Sequence, residues 1–371
     1  MSIHHIDRPA RLRIAMFTEA CTASVLRDLA GAAARIHLER LAAELVFMGH
    51  HVDVHAGAVP PGQSHEYDIA HAHSLIAGQA ALRLHEASGV PYILSTNIAD
   101  RSRAAPALTG EPDTAILRGA SRVLVTGPQQ ASTLERTHRI APERTAPLLR
   151  GFDPQELHPL PMHEARARLG LDHQRFIVLY VGKFAPRKGI DTLIQGVAML
   201  RRRHAIDACL MLAGGGLPDE ALEIARLKQI ASELGVGEHV LFANPQPRSS
   251  LRELYAAAHV FAATPWYEPF GLPPIEAMAC ARPLVVSELG AIGTVVDDGR
   301  TGFLIPSRDP VALVDRLARL HRCPGLARAM GEAGRRRACE QYTWRRQAAK
   351  LLDLYREALY GAEQEDIRHA S

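Results

Sequence analysis

The sequence predicts an α/β protein of two domains, each built on a parallel sheet, and three observations carry that prediction. Short apolar, β-branched runs alternate with segments of helical periodicity almost from end to end, the pattern of parallel strands joined by helices. The pattern starts afresh at the strongly apolar run from Arg175 to Val181. Between the halves, residues 152–161 hold three prolines and little periodicity, the mark of a linker. At 371 residues the chain is long enough for two domains, each able to bury its own core.

In the first half, Ile14-Ala15-Met16-Phe17 reads as the opening strand, followed by a loop to about Gly31. Leu38, Leu41, Leu45 and Met48 then recur at helical spacing, and Gly49 stops that helix before a second strand, Val52 to His55. Further strands are expected at Asp68 to Ala72, Tyr92 to Ser95, Val123 to Thr126 and Ala146 to Leu149, each separated by room for a helix. The second half opens with the strand Arg175 to Val181, and Ile190, Leu193, Ile194 and Val197 give a helix face directly after it. Ala208 to Leu212, Val240 to Phe242, His259 to Ala262, Leu284 to Val286 and Phe303 to Ile305 complete a second sheet. The last long helix is expected to take Thr343 as its N-cap and to carry Trp344, Ala348, Leu351, Leu352, Tyr355 and Leu359 on one side. An apolar face of that length needs a partner.

Composition narrows the function classes. Apolar residues make up 47% and charged residues 22%, which is ordinary for a globular protein and argues against disorder. A net charge of only +3 gives no global drive toward nucleic acid, and the Arg201–Arg203 and Arg335–Arg337 clusters read as solvated charges at helix ends. Five scattered cysteines (Cys21, Cys209, Cys280, Cys323, Cys339) without C-x-x-C spacing indicate neither a disulfide framework nor a zinc site, and fit a reducing cytosol. No signal-peptide core precedes Asp7, and no stretch approaches the roughly 18 apolar residues of a membrane span. A cytoplasmic protein is expected, with any membrane contact peripheral on the inner face.

Chemistry concentrates in Tyr267-Glu268-Pro269-Phe270-Gly271-Leu272-Pro273-Pro274-Ile275-Glu276-Ala277-Met278. Glu268 lies just past an apolar strand, while Pro273 and Pro274 suit the first turn of a helix that then carries Glu276. The amides of Phe270, Gly271 and Leu272 lie between the two acids, and a helix N-terminus favours an anion there. A second cationic turn, Gly182-Lys183-Phe184-Ala185-Pro186-Arg187-Lys188-Gly189, joins the strand ending at Val181 to the next helix. Gly214-Gly215-Gly216 follows the next strand, where glycines permit close backbone approach to a ligand.

The acid string resembles the E-x7-E motif of the retaining glycosyltransferases usually called family 4, or group 1, which includes sucrose-phosphate synthases, bacterial glycogen synthases and mannosyltransferases. The resemblance spans nearly the whole chain and is strongest from about residue 175 to 305. It implies the GT-B fold: two facing Rossmann-like domains with a ligand cleft between their strand ends, and a terminal helix crossing back to the N-terminal domain. Residues 1–155, with the helix 343–371, would then hold the acceptor, and residues 156–342 a nucleoside-diphosphate sugar. The family's Gly-Arg-(x)n-Lys-Gly turn falls on Lys183 and Lys188, which would neutralise the diphosphate as the sugar–phosphate bond breaks. Lys183 keeps the charge of the family arginine but not its bidentate fork. Arg187 has no counterpart in the motif and reads as an exposed side chain.

By the same resemblance Glu276 would bind ribose hydroxyls and Glu268 the transferred sugar, with the amides of Phe270, Gly271 and Leu272 on sugar and phosphate oxygens. Gly215 would border the donor, and Asn244, in Val240-Leu241-Phe242-Ala243-Asn244-Pro245, would lie where the backbone meets the nucleobase. The family's front-face chemistry needs no metal, and no strand-flanked D-x-D is present, so neither metal nor other cofactor is expected.

The N-terminal half departs more. Gly31-Ala32, placed before the first helix, stands for a Gly-Gly turn near the donor phosphate, and Asn97 for a histidine that reaches the sugar. Arg150-Gly151-Phe152-Asp153 replaces Asn-Gly-x-Asp. Gly49-His50-His51-Val52 and Asp68-Ile69-Ala70-His71-Ala72-His73 match family segments, with His71 and His73 on one strand face, where they read as satisfied strand-end histidines. Two other functions fit parts of this pattern. A donor-binding or partner-binding relative that lost turnover would fit Asn97 and Ala32. A sugar-nucleotide epimerase of the same fold would need an acid and histidine set absent here. The acceptor, whether saccharide, lipid or small natural product, is not legible, because the loop from Asp100 to Pro112 has no repeat, charge block or aromatic comb.

Overall fold

The structure, a computed structural model, describes residues 11–19, 29–57, 59, 66–96, 111–215, 220–243, 250–267 and 271–369. The chain divides into two compact units, residues 1–150 with 344–371, and residues 151–343. The first boundary falls after Arg150 rather than after Gln155, because Phe152 already belongs to the second unit: its N–H donates to the Tyr342 carbonyl (3.0 Å), and it bridges to Thr343. The second falls after Thr343, one residue later than expected.

In the first unit the order is β1 (Arg13–Thr18), α1 (Leu29–Phe47), β2 (His51–Ala56), β3 (Ile69–Ala72), α2 (Leu75–Ser88), β4 (Tyr92–Ser95), α3 (Glu111–Gly119), β5 (Arg122–Val125), α4 (Pro128–His138) and β6 (Thr145–Pro147). The strands form one sheet in the order β2-β1-β3-β4-β5-β6, with every pairing parallel. In the second unit the chain runs through α5 (Met162–Leu169), β7 (Phe176–Val181), α6 (Ile190–His204), β8 (Ala208–Ala213), α7 (Ala221–Glu233), β9 (Val240–Ala243), α8 (Leu251–Ala257), β10 (Val260–Ala263), α9 (Leu272–Ala279), β11 (Leu284–Ser287), α10 (Gly290–Val295), β12 (Gly302–Ile305), α11 (Pro310–Arg322) and α12 (Pro324–Gln341). Its sheet has the order β12-β11-β10-β7-β8-β9, again all parallel. A final helix, α13 (Trp344–His369), returns to the first unit.

Each apolar run expected to be a strand contains one, although β6 starts at Thr145 and leaves out Leu148 and Leu149. The reason is visible in β8 and β10, whose residues are buried without alternation because helices cover both faces of a parallel sheet. In the first sheet the two faces bury different sets. Ala15, Phe17, Ala70, Ala72, Tyr92 and Leu94 pack with α2 and α3. Ile14, Met16, Ile69 and Ile93 pack with Leu38, Leu41 and Leu45 of α1 and with Trp344, Ala348, Leu351 and Tyr355 of α13. The long apolar face of the last helix thus finds its partner on this sheet, where each fully buried large side chain contributes about 1.5–3 kcal/mol.

Two expectations need correction here. Gly31 and Ala32 do not precede the first helix but lie within the span of α1, which starts at Leu29. Ala32-Ala33-Ala34 are strong helix formers and outweigh the roughly 1 kcal/mol cost of one glycine. The arginine clusters are not simply solvated charges: Arg335 Nη1 donates to the Ala279 carbonyl at the end of α9 (2.6 Å), and Arg337 Nε to that of Val295 at the end of α10 (2.9 Å).

Candidate active site

The site in the second unit is built at the carboxyl ends of β7 and β10. As β7 ends, Tyr180 donates its hydroxyl to the Lys183 carbonyl (2.9 Å), and the Phe184 N–H donates to the fully buried carboxylate of Glu220 (2.8 Å). The chain then makes a single 3-10 turn, Pro186–Lys188, closed by Gly189 at φ +66°. From β8, Gly214 and Gly215 also adopt positive φ, and a Cβ on Gly214 would sit 2.0 Å from the Gly182 carbonyl oxygen. That glycine turn therefore nests directly against the cationic one, which no L side chain would allow.

The second component is α9. Gly271, at φ +58°, turns the chain into the helix, and Pro273 and Pro274 follow in its first turn. Proline there gives up an N–H that has no intrahelical partner in any case. Glu276 lies one turn in and is buried at 3% exposure, with the Tyr255 hydroxyl of α8 donating to its Oε2 at 2.8 Å. A hollow lined by Lys188, Gly182, Pro265, Pro273, Pro274 and Ile292 brings the cationic turn to the start of α9. Helix N-terminal amides and an ammonium group around one hollow make a site for an anion.

The sequence-predicted residues are thus only partly gathered. Lys188 lines the hollow, Gly271 and Leu272 begin α9, whose Pro273 and Pro274 line it too, and Glu276 is buried further along that helix, outside the lining. Lys183 and Gly215 lie on the adjoining turns, the latter close to the Phe184 ring. Gly31 belongs to the other unit. Glu268, Phe270, Asn244 and Asn97 lie outside the described residues. Sequence reasoning missed Tyr255, Glu220 and Tyr180, because nothing in their local strings distinguishes an ordinary helix or strand residue from one that reaches a functional loop.

Arg187 is not merely exposed. Its Nη1 donates to the Tyr267 carbonyl (3.4 Å) and its guanidinium sits 5.8 Å from the Tyr267 ring centre. In the first unit, His71 is satisfied as expected, with Nδ1 2.8 Å from the Tyr355 hydroxyl and Nε2 2.8 Å from Ser95 Oγ. His73 is not, since its buried Nε2 has no hydrogen-bond partner among the described residues. Among the described residues no three His, Cys, Asp or Glu side chains are grouped to hold a metal, and no helix is long and apolar enough to cross a membrane.

The D-inositol 3-phosphate glycosyltransferase of Saccharomonospora viridis is 32% identical to this chain over 305 residues, 79% of this chain and 70% of that protein. The family model described as Glycosyl transferases group 1 matches residues 161–337. This chain belongs to the group 1 glycosyltransferases. The transferase is similar in structure to sucrose-phosphate synthase from Thermosynechococcus elongatus, with a TM-score of 0.76 and 25% identity over 95% of this chain and 100% of that one. It shares its fold also with Anabaena HepE, solved in complex with UDP and glucose, at a TM-score of 0.73 and 18% identity over 94% and 100% of the two chains. The architecture is the GT-B fold, and the matched stretch in this transferase contains both the cationic turn and α9.

Proposed function

We propose that this glycosyltransferase moves a sugar from a nucleoside-diphosphate sugar, bound by the second unit, to an acceptor hydroxyl bound by the first, retaining the anomeric configuration and using no metal. The observation that supports this most is the hollow where Lys188 meets the first turn of α9, the helix that carries the buried Glu276. A departing nucleoside diphosphate gains negative charge as its bond to the sugar breaks. Fixed positive potential that strengthens with that charge lowers the barrier without reorganisation. Lys188 and Lys183 supply it as side chains, and α9 as oriented amides.

In this reading Glu276 accepts hydrogen bonds from the ribose hydroxyls, and its orientation is held by Tyr255. Glu268 contacts the transferred sugar and is not a nucleophile. The acceptor hydroxyl attacks on the face the phosphate leaves, and the leaving phosphate takes its proton. UDP-sugars are the first donors to try, as HepE was solved with UDP, and D-inositol 3-phosphate is the first acceptor, as the relative's name indicates.

The test is a panel of UDP-, GDP-, ADP- and dTDP-sugars with and without that acceptor, followed by nucleotide release. Glu276→Ala is expected to weaken nucleotide binding at least tenfold, about 1.4 kcal/mol, and Lys188→Ala to depress turnover. Wild-type behaviour in both variants refutes the assignment. Activity that survives EDTA supports the metal-free mechanism, and activity that requires added magnesium or manganese ends it. NMR of the product's anomeric centre decides between retention and inversion.

A further inference from the structure

The turn that carries Lys188 is bonded both within itself and to the chain leaving β10. Within it, Lys188 N–H donates to the Ala185 carbonyl (2.9 Å) and Gly189 N–H to that of Pro186 (3.1 Å). The residues on either side of Lys188 have their carbonyls taken by the chain leaving β10. Trp266 N–H donates to the Arg187 carbonyl (3.1 Å), and the Thr264 hydroxyl donates to the Gly189 carbonyl (2.7 Å). Thr264 is fully buried, and a Cβ at Gly189 would lie 2.0 Å from its carbonyl oxygen, so turn and strand exit are in direct contact. The strand exit is in turn held from behind, where Ser307 Oγ donates to the Pro265 carbonyl (3.0 Å).

We propose that Thr264 is a positioning residue for Lys188, its hydroxyl holding the ammonium-bearing turn at the distance from α9 that the departing diphosphate requires. Thr264 makes its contact through a buried side chain, so it can be altered without touching the backbone. The inference rests on the reading of Lys188 as the diphosphate cation. Displacement by about 1 Å of a group whose value lies in its placement costs rate far more than it costs ground-state binding.

The experiment compares wild type, Thr264→Val, Thr264→Ser, Lys188→Ala and the double variant Thr264→Val/Lys188→Ala, using the donor of the four-nucleotide panel that releases its nucleotide fastest. Valine keeps the volume and removes the donor; serine keeps the donor. Expected are a roughly tenfold fall in kcat for Thr264→Val with a smaller change in donor KM, recovery of most of that loss in Thr264→Ser, and no further loss when Thr264→Val is added to Lys188→Ala, since residues acting through one another are not additive. Affinity for the matching nucleoside diphosphate, read by calorimetry, is expected to show the same non-additivity. Wild-type kcat in Thr264→Val, a serine variant as impaired as the valine one, or a full additive loss in the double variant overturns the inference while leaving the role of Lys188 intact. Wild-type release by Lys188→Ala alone removes the reading itself, and the inference with it.

Discussion

Mild acid is expected to destabilise the first unit through His73, and the size of the effect follows from where that ring sits. Its backbone N–H is fixed on the Phe17 carbonyl of β1 (3.0 Å), and its ring stacks on that of His71 with centres 4.0 Å apart. His37 of α1 stands 6.1 Å away, and Tyr355 of α13 closes the far side of His71. Among the described residues no carboxylate contributes here; burial, and then the positive potential of His73 and Arg150, lowers His37 as well. Burial holds His71 well below the ordinary histidine value and takes His73 from 6.5 to about 4.

A base whose pKa is depressed on folding binds more protons in the unfolded chain between the two values. Its stabilisation is therefore complete above about pH 6.5 and is lost as pH falls toward about 4. For His73 alone the loss is about 2 kcal/mol near pH 5 and about 3 kcal/mol near pH 4. The assay is urea unfolding followed by the fluorescence of Trp344, whose ring lies 5.5 Å from that of His37, in a Trp266→Phe background that silences the second tryptophan. His73→Phe keeps the stack and cannot titrate, so its stability is expected to fall by about 2 kcal/mol less than wild type between pH 7 and 5. Equal pH dependence in the two proteins would refute the reasoning.

Three further outcomes are expected. Gly189→Ala places a methyl 2.0 Å from the Thr264 carbonyl oxygen at a left-handed φ, and should cost at least about 3 kcal/mol in urea unfolding of the second unit. Tyr255→Phe removes the hydroxyl that donates to Glu276; calorimetry should show nucleotide binding weakened severalfold, with stability lower by about 1–2 kcal/mol. Asp309 caps α11 by accepting from the N–H groups of Val311 and Ala312, so Asp309→Ala should lower stability by about 1 kcal/mol with donor binding unchanged.

Much of the fold was legible because parallel sheets leave a plain trace. β7, β8 and β10 are covered on both faces, and their residues are apolar without interruption, so the strands announce themselves. The start of α9 was legible for a local reason too, two prolines placed where a first helical turn tolerates them. The start of α1 was not: a glycine suggested a turn, while the alanines after it favour helix. The sequence also marked Lys188 and Glu276 as a pair of interest, since cationic and acidic residues beside glycine turns at strand ends are recognisable from short strings.

What short strings cannot carry is the identity of distant partners. The apolar side of α13 demanded burial, yet only packing decided that it would cover β1, β3 and β4 beside α1, and bring Tyr355 to His71 across 284 residues. Thr264 reaches Gly189 over 75 residues, and Tyr255 reaches Glu276 from a helix that reads as ordinary core. The sequence by itself determined which segments become strands and helices and which turns carry charge, because periodicity and turn chemistry act within a few residues. The tertiary structure decided which side chains hold those turns in place, because a hydrogen bond of 2.7 or 2.8 Å depends on where whole elements come to rest.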